Sequence, residues 1–124
     1  MEISVPNNCE NAPKQELIRD INIAFAKGDI AFLDASTTDD IEWNIVGEAT
    51  IEGKEEFIQA LEYMKNSIPK SLTLQHILTH GKEGAAHGIM QLENGKTYAF
   101  SDFYIFNSAK ASKIKKITSL VIEI

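Results

Sequence analysis

Two tetrapeptides in the second half of the chain, Gly81-Lys82-Glu83-Gly84 and Glu93-Asn94-Gly95-Lys96, constrain the fold more than any other feature. Both have the composition of tight hairpin turns, and Asn-Gly is the strongest short-range signal of that kind. Runs rich in β-branched and aromatic residues lie on either side. The pattern predicts strands over about 71–80, 85–93, 96–107 and 113–123, with a longer turn from Asn107 to Ser112. Strands joined by short turns are antiparallel neighbours. The C-terminal half therefore reads as a four-strand meander.

The first half is mostly helical. Asn11-Ala12-Pro13 is a helix start, with a capping side chain and an early proline. Leu17, Ile18, Ile21, Ala24 and Phe25 recur at helical spacing and give one apolar stripe. Gly28 ends that helix, and Asp29 caps a shorter one that holds Ile30, Phe32 and Leu33. Ile41, Trp43 and Ile45 alternate with polar residues and predict a half-buried strand, followed by a short one from Ala49 to Glu52. Gly53 leads into a third helix. Its first turn carries Glu55 and Glu56, and Phe57, Leu61 and Met64 form its stripe. The order predicts an α+β domain, with helices on one face of a curved antiparallel sheet.

A chain of 124 residues suits one domain, 1–124, with residues 1–10 expected to form a loose N-terminal segment. Its net charge is −6. Nucleic acid is not an expected partner, because phosphate recognition needs clustered bases. Lys110, Lys113, Lys115 and Lys116 make the only basic cluster, and a solvated strand end explains it. The apolar runs are too short to cross a bilayer, so no membrane association is expected. No basic, then apolar, leader precedes the first helix, and the one cysteine, Cys9, has no partner for an internal disulfide. Both point to a reducing, cytoplasmic location.

The chain resembles the nuclear-transport-factor-2-like superfamily, in particular its SnoaL-like branch. The resemblance is carried by "AFAKGDIAFLDAST", "DDIEWNIVG", "IEGKEEFIQAL" and "NGKTYAFSDFYIF" followed by "KIKKITSLVIEI". It implies a cone-like, cystatin-like roll: a bent sheet wrapped round N-terminal helices, with a pocket at the wide end. It also implies a homodimer that pairs through the sheet.

Within "YAFSDFYIF" a single carboxylate, Asp102, stands among aromatics. Such a group must face water or find a partner. Loop length fixes register. A two-residue Lys82-Glu83 loop opposes Leu78 to His87. A two-residue Asn94-Gly95 turn opposes Gln91 to Tyr98 and His87 to Asp102. In this reading His76, His80, His87, Gln91, Tyr98, Asp102 and Tyr104 share one face with Leu72, Leu74, Leu78, Ile89, Phe100 and Phe106. Ala86, Gly88, Met90, Ala99, Ser101, Phe103 and Ile105 occupy the other, which suits a dimer interface. Polar groups among large apolar ones characterise ligand pockets, so the histidine face is expected to be concave. The alternative is a wetted outer surface on which His87 and Asp102 are an ordinary cross-strand pair.

In a semi-dry pocket His87 and Asp102 can act as acid and base. The resemblance implies the same: polyketide cyclases and ketosteroid isomerases of the superfamily use a pocket carboxylate to move a proton beside a carbonyl. Tyr98 or Tyr104 could steady an oxyanion. Trp43, Phe25, Phe57 and Met64 are expected on the inner wall, and His76 and Gln91 beside the substrate. His76 and His80 are four residues apart, about 13 Å on a strand and too far to share an ion; His80 and His87, a diagonal pair, can reach one, but without a third ligand no metal is expected, and no cofactor is expected either. The ligand expected is a small apolar or aromatic molecule bearing a carbonyl or hydroxyl, with isomerase, cyclase or dehydratase chemistry. A non-catalytic ligand-binding protein and a protein-interaction module with a filled cone are the alternatives.

Overall fold

The helices form where the apolar stripes place them. The computed structural model describes residues 1–6, 12–110 and 113–124. Helix α1 (Pro13–Lys27) starts with Ala12 at its cap and Pro13 in its first turn. Asn11, Cys9 and the end of the 107–112 turn lie outside the described residues. Helix α2 (Ile30–Ala35) is capped by Asp29, whose carboxylate accepts from the Phe32 amide at 3.2 Å. Helix α3 (Gly53–Met64) buries Phe57 and Leu61, but Met64 stays 42% exposed at its end.

Seven strands form one sheet: β1 (Glu2–Ser4), β2 (Thr37–Ile45), β3 (Ala49–Glu52), β4 (Ser71–His80), β5 (Glu83–Gln91), β6 (Thr97–Phe106) and β7 (Ile114–Glu123). Their order is β1-β4-β5-β6-β7-β2-β3. The meander is its centre. β2 joins β7 in parallel, and β1 joins β4 in parallel. Strand β1 corrects the expectation of a wholly loose N-terminus: Glu2, Ile3 and Ser4 pair with Ser71, Leu72 and Thr73. Irregularities in β2, in β4 and between β6 and β7 interrupt the ladders, and such bulges bend strands and curve sheets.

Both hairpins differ in register from the sequence reading. The first loop is Gly81-Lys82, so His80 opposes Glu83 and His76 opposes His87. This shift of two leaves side-chain faces unchanged, until a bulge at Gln75 turns Leu72 and Leu74 to the opposite side. The second loop has three residues, Glu93-Asn94-Gly95, not two. Leu92 pairs with Lys96, and the Gly95 amide donates to the Leu92 carbonyl at 3.0 Å. Gly95 adopts φ +89°, the left-handed conformation that a three-residue hairpin requires at that position. The result is a slip of one residue between β5 and β6: Asp102 opposes Ala86, and His87 opposes Ser101. A slip of one exchanges faces.

The inner face therefore carries Leu72, Leu74, Ile77, Ala86, Phe100, Asp102, Tyr104 and Phe106. Helix α1 crosses β4 and β5, and α3 packs on β2. Ile18, Ile21, Leu33, Ile41, Phe57, Ile77, Ile114 and Ile117 are almost wholly buried between the layers. Gly88 lets Phe100 lie flat on the inner sheet. A β-carbon there would meet the Thr73 carbonyl oxygen at 2.3 Å and the Phe100 ring at 2.7 Å. Gly88→Ala is expected to cost about 1–3 kcal/mol, read as a lowered urea midpoint. An unchanged midpoint would mean that the β4 backbone at Thr73 and the Phe100 ring both give way freely.

Candidate functional site

Asp102 sits at the centre of a polar network on the inner face. Tyr104, two residues along β6, donates its hydroxyl proton to the Asp102 carboxylate at 3.2 Å. Asn22 of α1 donates to the Tyr104 oxygen at 2.9 Å and to the Ile18 carbonyl at 2.9 Å. From the other side Ser119 stands directly opposite Asp102 on β7, where its hydroxyl favours the charged carboxylate. The Ser119 oxygen accepts from the Trp43 indole N–H at 2.9 Å. Asn22 gives its protons to Tyr104 and Ile18, and Trp43 gives its proton to Ser119. The hydroxyls of Tyr104 and Ser119 are left to donate to Asp102, the one acidic group of the network.

Burial makes that acceptor unusual. Asn22, Tyr104, Ser119 and Trp43 are all buried, whereas Asp102 keeps partial contact with solvent. Desolvation raises the Asp102 carboxyl above its ordinary range, and hydrogen bonds from Ser119 and Tyr104 pull the other way without cancelling it. Desolvation also raises the Tyr104 phenol well above its usual value, with the Asp102 charge adding to the effect. Tyr104 thus stays a proton donor, and Asp102 is the group poised to gain or lose a proton.

Other candidate residues fall into two groups. Phe25, Trp43 and Phe57 form a cluster of tilted and edge-on rings, with centroids 5.1–6.4 Å apart. Phe25 and Met64 line a small cavity of about 10 Å³ with Gly28, Ile30, Leu33, Leu61 and Lys65. Tyr98 shares the inner face but lies four residues along β6 from Asp102, about 13 Å away. His76, His87 and Gln91 are on the outer face, and the rings of His76 and His87 stack there at 5.8 Å. The expected His87–Asp102 pair is therefore corrected, because the three-residue turn puts the sheet between them. His76 and Gln91 are removed from Asp102 by the same geometry.

An open groove of about 360 Å³ lies elsewhere, lined by Pro13, Lys14, Thr79, His80 and Lys110 among others. Neither it nor the small cavity is lined by Asp102. Among the described residues, no three His, Cys, Asp or Glu side chains converge as a metal centre, and no helix is long and apolar enough to cross a membrane.

Sequence reasoning missed Asn22 and Ser119. Both left a signal. Asn22 interrupts the buried stripe of α1, four residues after Ile18, and Ser119 follows Ile117 on the inward side of β7. A polar residue at an apolar position calls for a buried partner.

A bent sheet over three helices, with a desolvated carboxyl on its inner face, defines an α+β roll of the nuclear-transport-factor-2 type. The chain belongs to the SnoaL-like domain family, whose model matches residues 18–117. Among solved structures, an NTF2-like protein of unknown function from Cytophaga hutchinsonii is 26% identical, with a TM-score of 0.71 over 88% of this chain and 99% of that one. A candidate ketosteroid isomerase from Kribbella flavida has a TM-score of 0.74 at 13% identity, covering 90% of this chain and 79% of its own. An LEH-like epoxide hydrolase from M. tuberculosis also reaches 0.74, at 14% identity, over 91% of this chain and 85% of its own. No curated protein matches the chain.

Proposed function

We propose that the chain is an enzyme that moves a proton on a small, largely apolar molecule bearing a carbonyl, hydroxyl or epoxide. One observation carries this reading: a desolvated, partly accessible carboxyl on which buried hydroxyl donors converge. In its ionised form Asp102 serves as the base. Tyr104 and Ser119 hold the carboxylate in one orientation, and their own partners, Asn22 and Trp43, prevent them from turning away. The ligand would meet Asp102 from its solvent-accessible side, against apolar walls that strengthen every electrostatic contact. Ketosteroid isomerase and epoxide hydrolase neighbours support proton chemistry on this scaffold. The test is a panel of enolisable ketones, with solvent-deuterium incorporation at the α-carbon as readout. Catalysed exchange that disappears in Asp102→Asn upholds the reading. Exchange absent from the whole panel, or indifferent to that change, overturns it.

The tightly filled aromatic interior supports a second reading, an interaction module with no ligand site. It predicts that no apolar compound shifts the melting temperature.

We also propose a homodimer through the outer sheet face. Leu78, Phe103, Ile105, Leu120 and Ile122 are each 40–66% exposed there. They stand on neighbouring strands around Ala85, Ala99 and Ser101. A monomer seldom leaves a contiguous apolar patch of more than a few hundred Å² uncovered. Of the ionic groups beside it, Glu42 and Lys116 pair with each other at 3.3 Å and Glu83 lies at the rim next to Ile105, so the apolar centre of the face suits a copy of itself. Phe103→Glu is expected to convert a dimer to a folded monomer by sedimentation. A parent chain that sediments as a monomer at high concentration would rule the pairing out.

A further inference from the structure

We propose that His76 and His87 form a two-imidazole chelate for a divalent transition-metal ion such as Zn²⁺. The same pair on a second copy of the chain completes a four-nitrogen shell, so the metal bridges the two sheets. This inference rests on the dimer proposed above and assigns that interface a ligand.

The histidines are directly opposed on adjacent antiparallel strands, and their rings stack with centroids 5.8 Å apart and planes 23° from parallel. Two imidazoles on one tetrahedral ion, with Zn–N distances of about 2.0–2.1 Å, place their centroids roughly 5 Å apart. The centroid spacing is therefore close to that of a chelate, and each ring must turn about its Cβ–Cγ bond so that one nitrogen of each points at the shared ion. His76 is exposed and His87 half-buried, so both rings have room to turn. Among the described residues neither ring has a hydrogen bond or ion pair to break. An all-nitrogen set is a good match for Zn²⁺, Cu²⁺ or Ni²⁺ and a poor one for Mg²⁺ or Ca²⁺.

The surroundings indicate where the remaining ligands come from. No third His, Cys, Asp or Glu of the described residues joins the pair. Across the outer face the row is His76–His87–Ser101–Leu120. The row on one side is Leu78–Ala85–Phe103–Thr118, and that on the other is Thr73–Ile89–Ala99–Ile122. The histidines therefore lie within the apolar patch, beside a shallow floor of Ala85, Ala99 and Ser101. An isologous interface covers this patch with its own copy. A two-fold axis passing beside the histidine row brings four imidazoles together.

The experiment uses untagged, EDTA-stripped protein in a Cys9→Ser background, which removes the chain's one thiol. Sedimentation equilibrium is run with EDTA and with stoichiometric Zn²⁺, and metal content is measured in the dimer peak. The expected result is one zinc per two chains and a dimer dissociation constant at least tenfold lower with zinc. Both effects vanish in His76→Ala and in His87→Ala, and persist in His80→Ala. Co²⁺ in place of zinc is expected to give the visible absorption of a tetrahedral site. A dimer equally tight in EDTA and in zinc, without bound metal, overturns the bridge and leaves the dimer standing. A chain that stays monomeric under both conditions overturns both. Zinc bound equally by the parent and the His76→Ala and His87→Ala variants, or bound one per monomer, also overturns the bridge.

Discussion

Asp102→Asn is expected to lower the rate of proton transfer by about 10²- to 10⁴-fold, the range a positioned general base contributes, while leaving the fold intact. The amide is nearly isosteric with the carboxylate and can still accept from Tyr104, but it cannot take up a proton. Stability supplies an independent readout. Folding lifts the Asp102 carboxyl above its ordinary value of 3.8, chiefly by desolvation. The folded chain therefore holds this proton to higher pH than the unfolded chain does. The stabilisation from this group is fully present below the unfolded value and is lost as pH rises through the folded one. Asparagine has no such loss. The melting temperature of Asp102→Asn is thus expected to gain on the parent as pH rises from about 4 towards neutrality. In the same window the parent's activity is expected to rise, as the carboxylate forms. A variant that loses activity but shows no pH-dependent gain would mean that Asp102 is hydrated in the folded protein. The raised carboxyl on which the base role depends would then be absent.

Phe57→Ala is expected to destabilise the fold by about 3–5 kcal/mol, the usual result of truncating a buried phenylalanine. Phe57 has no solvent exposure and lies edge-on to Phe25 at 6.4 Å and to Trp43 at 6.0 Å. It is the residue through which α3 meets the aromatic cluster, and Trp43 in turn steadies Ser119 beside Asp102. The melting temperature should fall by on the order of 10–20 °C. Tyr63, 92% exposed on the same helix, is the control, and Tyr63→Ala should move stability by no more than about 0.5 kcal/mol. The comparison is read from urea midpoints at constant slope. A loss of under 1 kcal/mol at Phe57 would show that the three rings are loosely held and that the interior can open for a ligand. A loss in the expected range shows a packed wall. Any ligand must then approach Asp102 from the open side of the inner face.

The predicted strands and helices reappear within a few residues of their expected bounds, because each rests on local chemistry. The alternation of Ile41, Trp43 and Ile45, the stripe of α1 and the Asp29 cap are all encoded within a few neighbouring residues. Tyr104 and Asp102 share one face as expected, since residues two apart on a regular strand do. Pairing between strands was less secure. It hung on whether Glu93 belonged to β5 or to the loop, and the Asn-Gly signal fits either a two-residue or a three-residue turn. That single choice moved His87 to the far side of the sheet.

Sequence alone determined the element order from α1 to β7, the α+β class and the presence of one costly carboxylate in an aromatic strand, because periodicity and composition are local properties. Only the tertiary structure decided which groups relieve that cost. Asn22, Trp43 and Ser119 are drawn from α1, β2 and β7, and they meet Asp102 and Tyr104 only when the sheet curves over the helices. The partners of a buried polar group are set by hairpin register and by contacts between residues 76 and 82 positions apart. A slip of one residue in one turn is enough to replace every partner across that hairpin.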